Sequence, residues 1–345
     1  MLKNNFPLRF CRYFVQSLSL LVICLIMGTA CYAEDPALIE AARKEGAVVY
    51  YSGMATQDCA TMTKEFEKKY PFLKVETLRL SGEKLLVKAQ TEARAKGLRA
   101  DLFQASIIQV TQMKTSGLLQ KYVSPESKNF PAKFRDAEGY WNATYVLPYV
   151  MTYNTKLIPK QEAPKSYEDL LNPKWKGKIG LAPDDDQWFF HLLKIMGRAK
   201  GIEYMKSLAK QDLIARRGHT LLTTLCAAGE VPIVIVGYLD AVEQVKAKGA
   251  PIDWVRFESA PIITAINAIG VVANPPHPNA AKLFYDFVIS KEGAKVFRSI
   301  SRIPPNPEEQ PPNVKGLNLY MAVPDEFMSN YKQIAKEWED IFHLH

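Results

Sequence analysis

The chain has 345 residues, 48% of them hydrophobic, with 44 basic against 36 acidic side chains. That is enough apolar material for a sizeable core and two lobes. The charges are interleaved, with no Lys/Arg block of the kind that makes a nucleic-acid arm, so nucleic acid is not an expected partner.

Lys3, Arg9 and Arg12 flank or precede the apolar run 18–27, and small residues lead to Cys31-Tyr32-Ala33. This pattern reads as a secretory signal peptide over 1–33, cleaved after Ala33, which sends the mature chain to the periplasm. The run is shorter than the about 20 residues that cross a bilayer. A lipid anchor at Cys31 is the second reading and an uncleaved anchor the third. Cys11, Cys24 and Cys31 belong to the leader, so only Cys59 and Cys226 remain. They fall in different expected lobes, and a bond between them would restrict lobe motion, so both are expected as free, buried thiols. No Cys or His spacing suggests zinc.

From Asp35 onward, helical and strand patterns alternate. Asp35-Pro36 supplies a cap and a first-turn proline, so a helix starts there and Gly46 ends it. Residues 47–51 form a strand, and Ser52-Gly53 turn it into a helix over 56–69. Met62, Phe66 and Tyr70 recur there every four residues as one buried stripe. Strand 74–78 leads through Ser81-Gly82 into helix 83–96. Strand 100–103 leads to a helix opened by Ser106 and closed by Gly117. Three strand–turn–helix units imply a parallel sheet with helices on its faces. The aromatic stretch 141–155 is predicted as a long strand passing between lobes. A second series follows: strand 178–181, a helix from Pro183 and Asp184 through Met196, helices 202–210 and 220–228, strand 231–236 ending in Gly237-Tyr238, helix 240–248 and strand 252–256. Residues 265–273 return apolar. Helices 278–289 and 292–299, a proline-rich loop 304–312 and a terminal helix over 325–342 complete the chain. The expected division is lobe 1 over 34–148, completed by about 262–300, and lobe 2 over 149–261. Residues 301–345 pack mainly on lobe 2.

Ligands of such sheets bind beyond the carboxyl ends of the strands, where helix starts leave N–H groups free. That selects Ser52, Gly53, Ser81, Gly82 and Ser106 on lobe 1, although a serine before a helix also serves as a plain cap. On lobe 2 it selects Asp185 and Asp186, with Asp184 as cap and Trp188 as a stacking wall. Tyr238 stands at the end of a buried strand, and Tyr149 lies near the crossover. Carboxylates at a cleft edge attract cations and hydroxyl or amine donors, and repel phosphate. The alternatives are acids serving the helix dipole and a tyrosine packed at a lobe edge.

The sequence has no phosphate loop, GxGxxG, GxSxG or HExxH motif. His191, His219, His277, His343 and His345 read as core or surface residues. No catalytic residue and no cofactor is expected.

The residues that carry a family resemblance are spread over the mature chain. They are Ala41 to Gly46 before Val48-Val49-Tyr50-Tyr51-Ser52-Gly53, then Phe66 to Pro71, Ala100-Asp101-Leu102-Phe103 and Tyr153-Asn154-Thr155. Pro173-Lys174-Trp175-Lys176-Gly177 to Gly180, Gly229-Glu230-Val231-Pro232, His277 to Phe284 and Ser290-Lys291-Glu292-Gly293 follow in order. In this order the chain resembles the periplasmic substrate-binding proteins of ABC importers, in the branch that includes ferric-iron-binding proteins. The resemblance implies the type II fold: two α/β lobes, each a mainly parallel sheet flanked by helices, closing on a ligand by a hinge. It also implies a monomer that delivers a small-molecule or metal ligand to an ABC importer permease.

Iron-binding members use two adjacent tyrosines where this chain has Tyr238-Leu239. They often place a His at the position of Ala55 and a Glu at that of Ser106, and small anion-binding residues at those of Asp185 and Asp186. These departures favour an organic solute. The alternative is a metal receptor using Tyr238, Asp185 and Asp186 with an exogenous anion or water. A periplasmic enzyme on this fold and a binding protein that feeds a sensor kinase are further alternatives.

Overall fold

Asp35 caps the first helix, α1 (Pro36–Glu45): its carboxylate accepts the Ala37 N–H at 2.9 Å. Gly46 ends that helix at φ 71°, in the left-handed region that favours glycine. The computed structural model describes residues 35–257, 260–321 and 324–343. The expected leader, with Cys31 and the cleavage after Ala33, lies outside them.

Three strand–helix units follow: β1 (Ala47–Ser52), α2 (Thr56–Lys69), β2 (Lys74–Arg79), α3 (Gly82–Arg94), β3 (Leu102–Ser106) and α4 (Ile107–Thr115). β1 lies between β2 and β3 and is parallel to both. The stripe of Met62, Phe66 and Tyr70 is buried. Phe66 meets Phe284 and Phe287 of α9 (Pro278–Ile289) edge-on, with ring centroids 4.8 and 5.4 Å away.

The long strand expected over 141–155 is β4 (Asn142–Asn154), and it changes partners midway. Its first half pairs antiparallel with β9 (Ile262–Val271), and its second half with β7 (Ile233–Tyr238) and β8 (Ile252–Trp254). Pro148 pairs with Thr264 of β9, and Tyr149 already pairs with Tyr238 of β7. Proline has no N–H for a ladder, so it is tolerated where one partner strand gives way to the next.

Beyond β7 lie β5 (Ile179–Leu181) and β6 (Ile214–Ala215), parallel to each other, with β5 parallel to β7. The strand order is β2-β1-β3-β9-β4-β7-β5-β6. The outer strands are parallel and the crossover strands antiparallel. Helices α5 (Asp186–Met196), α6 (Arg198–Ala209), α7 (His219–Ala228) and α8 (Leu239–Ala247) flank the second half, and α10 (Lys291–Ser299) follows α9. β10 (Leu319–Tyr320) adds to β9 in parallel.

The terminal helix α11 (Pro324–Phe342) docks on α5: Phe327 meets Phe190 at 5.5 Å, Trp338 meets Phe189 at 5.6 Å, and the Trp338 indole N–H donates to the Pro183 carbonyl at 2.7 Å. It also packs on α4.

Two predicted strands were placed about two residues early. β3 and β7 extend through Ser106 and Tyr238, which stand at the strand ends as expected, with Ser106 also at the start of α4. The apolar stretch 265–273 belongs to β9, which begins at Ile262 and ends at Val271. Cys59 and Cys226 are buried and unlinked, and burial pushes the Cys226 thiol up to about 12. No described helix is long and apolar enough to cross a membrane.

Candidate functional site

Tyr149 and Tyr238 are cross-strand partners on β4 and β7, which is why their rings stack. The ring planes differ by 16° and the centroids are 5.6 Å apart. Gly237 makes this approach possible: a Cβ there would stand 2.5 Å from Thr152 Oγ1, at the point where the register shifts between Val150 and Thr152.

His219, the first residue of α7, completes an aromatic cluster. Its ring lies 4.1 Å from that of Tyr238 and 6.1 Å from that of Tyr149. Nδ1 sits 3.1 Å from the Val236 carbonyl, which only accepts, so Nδ1 carries the proton. Nε2 then faces Asp185 Oδ1 at 3.4 Å. Asp185 is 3% exposed, and its other oxygen accepts the Ala182 N–H at 3.1 Å. Burial raises the Asp185 carboxyl well above its usual value, against the Ala182 hydrogen bond, and burial lowers His219. Both shifts favour the uncharged forms, a neutral imidazole beside a neutral carboxyl, over an ion pair.

Asp186 opens α5 and is half-buried. Burial pushes its carboxyl up to about 6, against a hydrogen bond from the Gln187 N–H, with the Asp184 charge raising it and a Tyr331 hydrogen bond lowering it. Tyr331 of α11 also feels Glu83, the second residue of α3, so the helix starts at Gly82 and Asp186 approach a common point. Gln187 Oε1 accepts the Tyr149 hydroxyl at 3.3 Å.

Ser81 is exposed, and neither it nor Ser106 makes a side-chain capping bond. Ser106 donates to Gln109 Oε1 instead, and the Gln109 amide lies against Gly82, where a Cβ would be 3.0 Å from Oε1. Ser81, Gly82, Ser106 and Gln109 thus form one small polar group on the β1–β3 side.

Three predicted site residues serve the fold instead. Ser52 is fully buried, donates to the Tyr50 hydroxyl at 3.2 Å and accepts the Met54 N–H at 3.2 Å. The Gly53 N–H is already given to the Gln104 carbonyl at 2.8 Å. Trp188 is 0% exposed, packed among Tyr167, Phe189 and their neighbours, with its indole N–H 3.5 Å from the Tyr167 hydroxyl. A side chain sealed in the core is no stacking wall. Asp184 does not cap α5 either; Asp185 holds that position and turns back to Ala182.

Trp188→Phe is therefore expected to cost about 1–3 kcal/mol of stability through the void it leaves. Solute retention should not change. Weaker retention at an unchanged melting temperature would return Trp188 to the site.

His219, Gln187 and Gln109 were not selected from the sequence. For His219 a signal exists: Gly218-His219 opens an apolar helix after a strand, the same position as Asp184 to Asp186. The proposed metal set does not converge, since Asp185 faces His219 and Asp186 faces Tyr331. Among the described residues no group of three His, Cys, Asp or Glu side chains is arranged to hold a metal.

The family profile described as bacterial extracellular solute-binding protein matches residues 100–330. An uncharacterized protein of Haemophilus influenzae is 24% identical over 287 residues, covering 79% of this chain and 82% of that one. The Fe(3+)-binding periplasmic protein of Serratia marcescens is 24% identical over 175 residues, 48% of this chain and 52% of that one, so the match spans about half of that relative.

Among solved structures, the periplasmic binding protein AfuA of Actinobacillus pleuropneumoniae, with fructose-6-phosphate bound, matches at TM-score 0.73 and 23% identity, over 87% of this chain and 99% of that one. Iron-bound HitA of Pseudomonas aeruginosa matches at TM-score 0.73 and 21% identity, over 85% and 99%. At such identities these structures speak to the fold, and they are the type II, two-lobed fold that the family resemblance implied. The chain belongs to the bacterial extracellular solute-binding protein family.

Proposed function

We propose that this solute-binding protein works in the periplasm as a monomer, closes its two lobes on a small organic solute, and passes that solute to the permease of an ABC importer. The observation that carries this reading is the cluster of Tyr149, Tyr238 and His219 at the strand ends, which the first turn of α5 joins through the Tyr149–Gln187 hydrogen bond. Aromatic faces supply apolar area, and Asp186, Gln187, Ser81 and Ser106 supply the few polar groups that orient a ligand. The Asp185–His219 pair acts beneath them as a neutral support.

The proposed lobes are 34–148 with 262–300, and 149–261, joined where β4 changes partners at Pro148. A ligand that touches both lobes favours the closed state by its differential affinity.

Native mass spectra of the mature protein, residues 34–345, purified without added ligand, test this reading. An organic adduct is the expected result. An adduct of metal mass, lost on chelation, overturns it.

A metal receptor is the second reading, and one observation favours it. Tyr149 brings a second phenol beside Tyr238 from the neighbouring strand, although Leu239 occupies the next position in sequence. Titration with ferric citrate decides: a visible tyrosinate-to-iron band supports a metal receptor, and a colourless titration discards it.

A further inference from the structure

A second cluster stands beside Tyr238, and the solute-binding reading does not use it. Arg302, three residues after α10, donates through Nε and Nη2 to Asp58 Oδ2 at 3.1 and 2.8 Å, and through Nη1 to Asp240 Oδ2 at 2.6 Å. Asp58 lies in the first turn of α2, which packs on β2. Asp240 lies in the first turn of α8, which packs with β7 and β8. The three side chains are 21%, 15% and 3% exposed.

The guanidinium carbon is 5.2 Å from the ring centroid of Tyr145, on the half of β4 that pairs with β9. The next residue, Ile303, accepts the Val146 N–H at 2.9 Å. Arg302 is therefore fixed to the crossover strand by its backbone, and its planar fork reaches one carboxylate on each side. Asp240 Oδ1 is buried and has no hydrogen-bond partner among the described residues, so Arg302 is the one counter-charge seen on that carboxylate.

We propose that Arg302 is a positioning residue that latches the two lobes together without touching solute. This rests on the lobe division proposed above. With the cation in place, closing the lobes brings Asp58 and Asp240 onto one guanidinium. Without it, closing brings two carboxylates together and buries one of them unpaired, a cost the open state avoids by hydrating both. The latch sets how much of the ligand-free protein is already closed, and hence how much of the solute's binding energy is spent on closure.

The test needs no solute. Val87→Cys on α3 and Lys206→Cys on α6 are exposed sites for a spin-label pair, while Cys59 and Cys226 are buried. Label distances are measured by pulsed electron resonance in mature protein whose native mass is bare. Asp58→Asn leaves the Arg302–Asp240 pair intact and is expected to lengthen and broaden the interlobe distance. Arg302→Met should shift it further, lowering the closed-to-open ratio about tenfold or more. Melting temperatures recorded alongside separate opening from unfolding. If Arg302→Met does not fold, Asp58→Asn decides alone. Distance distributions that match the unsubstituted protein overturn the latch. That failure would leave the solute reading untouched, because the mass spectrum tests the one and the distance the other.

Discussion

Tyr238→Ala is expected to weaken binding of the co-purifying solute by about 100-fold, or about 2–3 kcal/mol, the loss usual for a central aromatic anchor. Tyr238 holds the cluster together: its ring stacks on Tyr149 at 5.6 Å and touches His219 at 4.1 Å. Truncation removes its own contact face and lets both neighbours relax into the space. It also opens the Asp185–His219 pair to water. Tyr238→Phe keeps the stack and deletes the hydroxyl. Burial raises that hydroxyl above the usual phenol value, so it stays protonated at neutral pH. For an organic solute the phenylalanine variant should lose no more than about tenfold, one hydrogen bond's worth. For a metal receptor it should lose nearly all binding, because the phenolate is a ligand. Calorimetry with the solute identified by mass reads both variants. Equal affinity in Tyr238→Ala and the unsubstituted protein would remove Tyr238 from the site.

The order of elements was legible because glycine and proline punctuate the chain and β-branched runs alternate with four-residue stripes. Met62, Phe66 and Tyr70 are one buried face, as their spacing says. Strand ends were less legible. No glycine or proline follows Phe103 closely enough to stop the first of them, and Gly237 lies within the second without ending it, so nothing local marks where pairing ends, and β3 and β7 run on to Ser106 and Tyr238.

Trp188 shows a signal present but outweighed. It stands four residues before Leu192 on the buried face of α5, yet the adjacent acids drew the reading toward a cleft. The pairing of Tyr149 with Tyr238 is a different case. It is a register between strands distant in sequence, and the same holds for His219, whose partners Val236 and Asp185 come from other elements. Pattern reading sees a strand end; it does not see which strand end lies beside it.

Asp185 offers the sharpest separation between two otherwise similar substitutions. Asp185→Ala strips the Ala182 N–H and His219 Nε2 of their partner inside a sealed site, and should cost about 2–4 kcal/mol. Asp185→Asn should cost less than about 1 kcal/mol, because its carbonyl still accepts from Ala182 and its amide donates to Nε2, as a protonated carboxyl does. The pH dependence has a definite sign. The folded carboxyl titrates above its ordinary 3.8, so its contribution to stability is full below that value and is lost as pH rises through the folded value. Asparagine does not titrate. The Asn variant should therefore gain on the unsubstituted protein as pH rises above 3.8, read from urea midpoints across a pH series. His219 runs the other way: its folded value lies below 6.5, so its contribution is present above 6.5 and lost as pH falls. That trend is common to both proteins to the extent that the amide leaves the imidazole neutral. An Asn variant as unstable as the Ala variant at every pH would mean that the buried partner is an ionised carboxylate held by an imidazolium.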